Sequence, residues 1–166
     1  DYTGFEPQPN ARLAWTPNAQ QTLWGGISRA VRSPSRIDRD IVLNTGFVTL
    51  LGSENSDSEK LLAYELGCRV RPVDRLVLSL ATFYNDYDEI HSIEPSGTSP
   101  TTFVFGSGLE GTSWGAELSG TYQVTDRWRL RGGYTYFDKD LRRKPGSQDI
   151  TDGEAEGNDP QHQFLL

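Results

Sequence analysis

Residues Trp114 to Asp138, WGAELSGTYQVTDRWRLRGGYTYFD, decide the fold class of this chain. Apolar or small side chains occupy the even positions from Trp114 to Val124, and mainly polar ones occupy the odd positions. After the polar break at 125–127 the alternation resumes and continues to Tyr136. A period of two is typical of a half-buried strand, so the stretch predicts an antiparallel hairpin with a tight turn.

The dimensions of this hairpin suit a bilayer. Each arm has about ten residues, which is the length that a tilted strand needs to cross the hydrocarbon core. Aromatic side chains occupy both ends of the apolar face, Tyr122 and Trp128 near the turn and Tyr134 and Tyr136 far from it. Two aromatic belts are typical of membrane interfaces. From this hairpin alone, a soluble β-sandwich with one face in a core is an equal alternative.

An internal repeat predicts a second hairpin of the same design. A shift of 52 positions aligns Glu65-Leu66 with Glu117-Leu118, Asp74-Arg75 with Asp126-Arg127, and Tyr84 with Tyr136. The repeat predicts that even-numbered residues share one apolar face in both hairpins. From 62 to 84 that face carries no charge except at the turn, whereas the opposite face carries glutamate and arginine side chains.

The connections between the predicted strands are unequal in length. Links near residues 73–74 and 125–126 are tight, whereas those from Asp86 to about Ser113 and from Asp138 to Pro160 are long and polar. Short turns on one rim and long loops on the other are typical of outer-membrane barrels. The sequence therefore predicts an all-β fold, an antiparallel up-and-down meander of about seven or eight strands.

Composition excludes several classes of protein. The chain has 35% hydrophobic residues and a mean hydropathy of −0.58, and no run of 18 apolar residues exists, which excludes helical membrane spans. A net charge of −7 argues against nucleic acid as a partner. The single Cys68 excludes an intramolecular disulfide, and its place on the apolar face makes it a small hydrophobe. No catalytic constellation stands out, so neither enzymatic activity nor a cofactor is expected.

The remaining segments add two strands and a loop region. Alternation predicts strands from Pro9 to Trp15 and from Thr22 to Val31, but in the second strand Arg29 would share the apolar face, which is costly in a bilayer. The phase of this strand is therefore open, and a bulge at Gly25-Gly26 is one way to reset its register. The apolar run 41–51 predicts a strand pair, and the small polar residues of 52–58 predict a mobile loop.

Several stretches in order resemble the barrel half of TonB-dependent outer-membrane receptors. They are LWGGISRAVRSPSR from Leu23, SEKLLAYELGCRV from Ser58, ATFYNDYDEI from Ala81, GAELSGTYQVTDRWRLRGGYTY from Gly115 and the final DPQHQ from Asp159. The resemblance implies a transmembrane barrel of about 22 strands with an N-terminal plug in its lumen. It further implies import of a scarce ligand, most often a ferric siderophore or cobalamin, across the outer membrane of a Gram-negative bacterium with energy passed on by TonB.

On this resemblance, residues 1–166 are a partial barrel domain without the plug domain and the final strands. Transport by this piece alone is therefore not expected. The partners implied are outer-membrane lipid, the plug domain, TonB and a small-molecule ligand such as a ferric siderophore.

Two sets of residues are candidates for a site. The basic loop at 32–39 can bind an anionic ligand at the outer mouth through Arg32, Arg36 and Arg39, with a solvated loop as the alternative. Lumen-facing residues, expected to pair with one another or with the plug, are Glu65, Arg69, Glu117, Arg129 and Arg131. The acidic residues of 86–91 together with His91 suggest a metal site as one interpretation. Alternation places Asp86 and Asp88 on one face of the strand and Glu89 and His91 on the other. We therefore expect a hydrophilic rim where the strand leaves the membrane, and no metal.

Two further functions compete with the receptor hypothesis. One is a complete small outer-membrane barrel that acts as an adhesin or anchor without transport, which the chain length permits. The other is a soluble β-sandwich that binds carbohydrate, supported by the aromatic residues and the acidic cluster alone. Closure of the sheet would favour the first alternative, and a buried apolar interior would favour the second.

Overall fold

The computed structural model describes residues 4–97, 99–153 and 159–166. In these ranges the chain forms nine strands of one sheet and one short helix. The elements in chain order are β1 (Asn10–Asn18), β2 (Gln21–Arg32), α1 (Arg36–Asp40), β3 (Val42–Asn44), β4 (Thr49–Leu51), β5 (Glu59–Val73), β6 (Leu76–Pro95), β7 (Thr102–Thr125), β8 (Trp128–Arg143) and β9 (His162–Leu165). The all-β prediction is confirmed. No helix within the described ranges has the length and apolarity needed to cross a membrane.

Seven strands form the predicted antiparallel meander. β1, β2, β5, β6, β7, β8 and β9 lie side by side in that order, and tight turns at 19–20, 74–75 and 126–127 lie at one end of the sheet. The remaining two strands, β3 and β4, form the predicted pair at 41–51. In the sequence they lie between β2 and β5, which pair directly with each other in the sheet. β4 pairs in parallel with the first residues of β7, from Thr102 to Val104. In the described residues β1 pairs only with β2 and β9 only with β8, so this sheet is open.

The prediction of a long loop from Asp86 to Ser113 is wrong. β6 continues to Pro95 and β7 begins at Thr102, so the connection shrinks to residues 96–101. Pairing continues through Asp86 and Thr112, and irregularities near Glu89, whose φ is 58°, absorb the change of register. Where polar and small residues stand on both faces of a strand, the alternation of hydrophobicity disappears although the hydrogen-bond ladder continues.

The bulge considered at Gly25-Gly26 is also absent. β2 pairs without a break with both β1 and β5, so Arg29 stays on the apolar face opposite Leu62. Its guanidinium lies 3.1 Å from the Glu6 carboxylate and donates a hydrogen bond to the Pro7 carbonyl. The charge is neutralised by the segment that precedes β1, so the strand keeps its register without a bulge.

The two faces of the sheet differ as the alternation predicts. Leu66, Leu118 and Leu130 lie on the even-numbered face and are 66%, 50% and 56% exposed. Only Phe105 and Leu109 are buried hydrophobic residues among those that the structure describes. A soluble domain of this length would bury a large apolar core, so the distribution argues against the β-sandwich alternative.

Aromatic residues form two belts on the outer face, which carries the even-numbered residues of the two predicted hairpins and the odd-numbered residues of β1 and β2. Towards the loop end the rings of Trp114 and Tyr136 lie 5.2 Å apart, and those of Tyr64 and Tyr84 lie 6.3 Å apart, centroid to centroid. Towards the turn end the belt consists of Trp15, Tyr122 and Trp128. The eight residue-to-residue steps from Trp114 to Tyr122 extend about 27 Å, which a strand tilt of about 40° reduces to roughly 20 Å, close to the apolar band of a membrane barrel.

Candidate functional site

A cavity of about 490 Å³ lies where the inner, odd-numbered face meets the loop end of the sheet. Its position is set by the extended strands β6 and β8, which carry most of its lining above the aromatic belt. The residues that line it are Arg32, Glu59, Tyr87, Ile90, His91, Phe137, Lys139, Leu141 and Asp159. The set combines two aromatic rings, two cations and two carboxylates around one volume, which suits an organic ligand with both apolar and charged groups.

The aromatic part of the cavity is held by contacts beneath it. Phe83 and Phe137 lie with their ring centroids 6.2 Å apart across Gly115, where a Cβ would come within 2.6 Å of the Phe83 ring. The Tyr87 hydroxyl lies 3.3 Å from Oγ of the fully buried Ser113, which also accepts a hydrogen bond from Asn85 Nδ2 at 3.1 Å. These contacts restrict the rotamers of Tyr87 and Phe137 and so preorganise the cavity.

The charged groups of the cavity are paired between different segments of the chain. Arg32 Nη1 at the end of β2 lies 2.5 Å from Glu59 Oε1 at the start of β5. Lys139 Nζ lies 2.7 Å from Asp159 Oδ2. The His91 ring packs against Phe105 with centroids 4.3 Å apart, and the His91 backbone N–H donates to Glu59 at 3.3 Å. Each ion pair thus joins two segments of the cavity wall.

The structure does not bring the three loop arginines together. Arg32 lines the cavity, whereas the side chain of Arg36 is 84% exposed. Arg36 Nε lies 3.5 Å from Asp40 Oδ2 on the same helix. Arg39 donates to the Ser56 carbonyl at 3.3 Å. The sequence interpretation of 32–39 as a plain loop overlooked α1, which begins at a capping box between Ser35 and Asp38.

Asp38 links α1 to the cavity wall. Its Oδ2 lies 3.8 Å from Arg32 Nη2, and its Oδ1 lies 4.0 Å from His91 Nε2. Burial raises the pKa of this carboxyl, but hydrogen bonds from Ser35 and the charges of His91 and Arg32 outweigh burial and lower the pKa overall. The segment 52–58, expected to be mobile, is hydrogen-bonded to the same helix: Ser53 N–H donates to the Asp38 carbonyl at 3.0 Å.

The acidic cluster at 86–91 is used for ion pairing. Lys144 Nζ lies 2.5 Å from Asp88 Oδ1 and 2.9 Å from Glu89 Oε1. The hydrogen bond from Lys144 is the main reason that the pKa of Asp88 is lowered. Within the described residues no group of three or more His, Cys, Asp and Glu side chains is arranged to hold a metal ion.

Asp149 anchors the segment after β8 to the end of β6. Its carboxylate accepts hydrogen bonds from the Ile93 N–H at 2.7 Å, the Thr151 N–H at 2.9 Å and the Thr151 hydroxyl at 2.7 Å. Burial raises the pKa of Asp149, but these hydrogen bonds outweigh burial and lower it overall. The Ile150 N–H completes the contact by donating to the Ile93 carbonyl at 3.0 Å.

Replacing Asp149 with alanine should release this segment. A buried carboxylate with several donors stabilises its surroundings by about 2–4 kcal/mol, so local opening should become roughly 100-fold more frequent. Amide hydrogen exchange at Ile93 and Thr151 in the complete protein measures this. The pKa of Asp149 is lower in the folded protein than in the unfolded chain, so its carboxylate stabilises the fold above about pH 4. This stabilisation is lost as the pH falls through the pKa of the folded state. Asp152→Asn, which removes the charge of an exposed partner of Arg143 and keeps a side chain suited to the positive φ of 52° at this position, is the control and should change exchange little.

The predicted lumen-facing residues all lie on the inner face, but they do not pair with one another. Glu65 lies 3.8 Å from Arg12, and Glu117 faces Ala81 and Thr135 on the neighbouring strands. In the described part of the chain the arginines of this set hydrogen-bond neutral side chains: Arg69 Nε donates to Ser79 Oγ at 3.4 Å and Arg129 Nε donates to Gln123 Oε1 at 2.9 Å.

Comparisons with known proteins agree with this geometry. A family model described as "TonB dependent receptor-like, beta-barrel" matches residues 1–166. No curated protein sequence matches the chain. Among solved structures, the siderophore receptor PirA from Pseudomonas aeruginosa is similar with a TM-score of 0.68 and 21% identity, covering 82% of this chain and 28% of that one.

Two further structures show the same fold. The ferric enterobactin receptor PfeA from Pseudomonas aeruginosa matches with a TM-score of 0.64 and 22% identity over 78% of this chain and 21% of its own. The FrpB iron transporter from Neisseria meningitidis matches with a TM-score of 0.66 and 14% identity. The match covers 82% of this chain and 20% of the transporter. The chain thus spans about a quarter or less of the length of the receptors that it resembles in structure.

Proposed function

Because the chain belongs to the TonB-dependent receptor family as a segment of its β-barrel, we propose that it forms part of a receptor that imports a ferric siderophore across the outer membrane of a Gram-negative bacterium. The family is one of receptors and transporters, not of enzymes. The observation that carries the proposal is the cavity at the loop end of the inner face, on a sheet whose other face is apolar and exposed.

The lining of the cavity suits the chemistry of iron chelates. Its volume of about 490 Å³ lies in the usual range for ligand sites. Ferric chelates carry anionic oxygen donors and often planar aromatic groups, which guanidinium, ammonium and aromatic side chains bind. In this proposal Arg32 and Lys139 contact the anionic groups, while Tyr87 and Phe137 contact the planar groups. The other two loop arginines, Arg36 and Arg39, attract the anionic ligand as it approaches the mouth of the cavity.

The remaining partners belong to the same proposal. The outer face between the two aromatic belts contacts lipid, and the inner face, with Glu65, Arg69, Glu117, Arg129 and Arg131, contacts a plug domain. TonB supplies the energy for import in the complete receptor. The open edges of β1 and β9 support this proposal over the small complete barrel, since neither edge closes the sheet within the described residues.

Replacing Tyr87 with alanine and Lys139 with glutamine should weaken siderophore binding by about tenfold each, because each removes one group that contacts ligand. Binding is measured on the complete receptor with ferric enterobactin as a catecholate probe, ferric alcaligin as a second probe and cobalamin as a comparison. Uptake of radioactive iron by cells that carry each variant provides the second measurement.

Arg36→Gln is the matched control, because it removes a cation of the same loop that does not line the cavity. Its rate of ligand dissociation should stay within about twofold of that of the parent receptor, because a charge outside the cavity affects association and not the bound complex. Binding of cobalamin in preference to both iron chelates would contradict the proposed ligand class. Equal losses for Arg36→Gln and Lys139→Gln would contradict the assignment of the site to the cavity.

A further inference from the structure

The strand pair of β3 and β4, here called the loop-end hairpin (residues 42–51), continues the sheet beyond the rim of the barrel wall. β8 pairs with β7 from Leu109 towards the turn end, whereas β4 pairs with the residues from Thr102 to Val104, nearer the loop end. β4 thus stands beside β7 in line with β8, and β3 stands one strand spacing further along, in line with β9.

The far edge of β3 carries backbone groups that point away from β4. In the described part of the chain β3 pairs with β4 alone. The Ile41 carbonyl accepts a hydrogen bond from the β4 side at 2.7 Å, and the Thr45 N–H donates to that side at 3.0 Å. Bonding alternates along an antiparallel pair, so the N–H and C=O groups of Val42 and Asn44 point to the free edge.

Nothing in the sequence of β3 blocks this edge against a further strand. Proteins protect free edges with charged side chains, proline or bulges. Residues 41–53 contain neither a charge nor a proline, although 23% of the chain is charged. The register with β4 is unbroken, from Val42 opposite Leu51 to Asn44 opposite Thr49, so no bulge twists the edge away. The edge of β3 can therefore accept another strand.

An apolar stripe ends at the same edge. On one face of the loop-end hairpin and its neighbours the stripe consists of four residues, each paired with the next: Leu43, Leu50, Phe103 and Pro95. Leu50 and Phe103 are half-buried, whereas Leu43 at the edge is 49% exposed. A further strand would place a side chain beside Leu43 and cover it. The stripe therefore favours an uncharged apolar residue at that place.

The position of the free edge selects its occupant. The outward groups of Val42 and Asn44 are about 7 Å apart along the strand, and extended backbone provides donors and acceptors at that spacing. A strand added to β3 would stand in line with the strand that pairs with the free edge of β9 in the complete barrel. It would lie along the wall of the same barrel, where a second receptor molecule cannot reach.

We propose that the free edge of β3 pairs with an extended, uncharged segment of the loop that joins the neighbouring strands of the complete barrel. The added strand holds the loop-end hairpin and, through it, α1, whose Asp38 lies 3.8 Å from Arg32 in the cavity wall. The inference rests on the place of these strands in a barrel of the family and not on the identity of the imported ligand. It assigns a partner to a surface outside the ligand cavity.

Hydrogen exchange in the complete receptor, resolved to single amides, tests the pairing. Two internal references are Leu43, whose N–H bonds β4, and Phe47, which lies at the hairpin tip and is 87% exposed. The amides of Val42 and Asn44 should exchange about 100-fold more slowly than that of Phe47, close to the rate of Leu43. Exchange of both amides at the rate of Phe47 would overturn the proposal.

Proline at position 42 separates pairing at the edge from folding of the hairpin. In Val42→Pro the lost N–H points away from β4, and Ile41 already has φ −63° and ψ 138°, which suit a residue before proline. Leu43 should stay protected, which shows that the hairpin folds, whereas Asn44 should exchange at the rate of an exposed amide. Val42→Ala keeps the N–H and should keep Asn44 protected. Continued protection of Asn44 in Val42→Pro would contradict pairing at this edge.

Photo-cross-linking in the complete receptor identifies the occupant. A benzophenone side chain in place of Leu43 should link to the neighbouring loop of the same receptor chain, which mass spectrometry maps. The same group in place of Phe47, at the tip, is the control and should give no link to that loop. Links from position 43 to a second receptor molecule or to another protein would overturn the proposed occupant. Binding of ferric enterobactin by the Tyr87 and Lys139 variants is independent of these results and concerns the proposed function alone.

Discussion

Replacing Leu118 with arginine should destabilise the complete receptor in a lipid bilayer by about 2–4 kcal/mol, because the side chain lies near the middle of the apolar outer face. Leu118 is 50% exposed and pairs with Leu80 on β6 and Tyr134 on β8, so no protein group can neutralise the new charge. In water the same exposure would make the substitution nearly neutral. Unfolding by guanidinium from lipid vesicles measures the free energy of unfolding directly.

Thr135→Arg is the matched control for this prediction. Thr135 lies on β8 next to Tyr134, at the same depth, but faces inward and pairs with Glu117. The new guanidinium would have water and a carboxylate nearby, so its effect should stay within about 0.5 kcal/mol. If both variants lost the same stability, the outer face would not be in contact with lipid.

Replacing Gly115 with alanine should disrupt the centre of the second hairpin, at a cost of about 2–3 kcal/mol. A Cβ there would lie 2.4 Å from the Tyr136 carbonyl oxygen and 2.6 Å from the Phe83 ring. The carbonyl belongs to the β8 backbone and cannot move without loss of strand pairing. The Phe83 ring would have to leave Phe137, so the ferric enterobactin binding that we propose for the cavity should weaken together with stability.

Gly133→Ala, on the same inner face, should behave in the opposite way. The nearest atoms to a Cβ at this position are 3.6 Å away, which is an ordinary van der Waals distance. Alanine restricts the unfolded chain more than glycine, so the variant should gain up to about 1 kcal/mol. Thermal unfolding of the two variants and the parent in one detergent distinguishes the cases. A similar loss at both positions would point to general intolerance of the sheet to side chains there.

The strands within the bilayer were predictable because a local rule determines them. Trp114 to Tyr122 alternate because one face of the sheet is apolar and exposed while the other is polar, and the 52-residue repeat assigns the phase of the first hairpin. The same rule failed from Asp86 to Ser113. In that stretch apolar and polar residues do not alternate and the register shifts between Tyr87 and Ser92, so the hydrogen-bond ladder continues without the pattern that would reveal it.

The candidate site was predictable only in part. Arg32 was identified as a cation of the outer loop, and the structure places it in the cavity wall. Tyr87, Phe137 and Lys139 were overlooked, although Phe83 and Tyr87 already place aromatic side chains at odd positions of β6. On β7, Gly111 pairs with Tyr87 of β6, and Gly115 pairs with Phe137 of β8. The two rings therefore line one cavity because of the register of three strands, and that register depends on long-range hydrogen bonding.

By itself the amino-acid sequence determined the fold class, the two faces, the tight turns and the aromatic belts. Each of these depends on the period of two along a strand and on which solvent each face meets. Only the tertiary structure decided the partners of single side chains: Glu6 for Arg29, Lys144 for Asp88 and Glu89, and the cavity that joins β2, β6 and β8. Those partners are separated by tens of residues, and pairing across a sheet depends on register and loop path, which no local pattern of residues encodes.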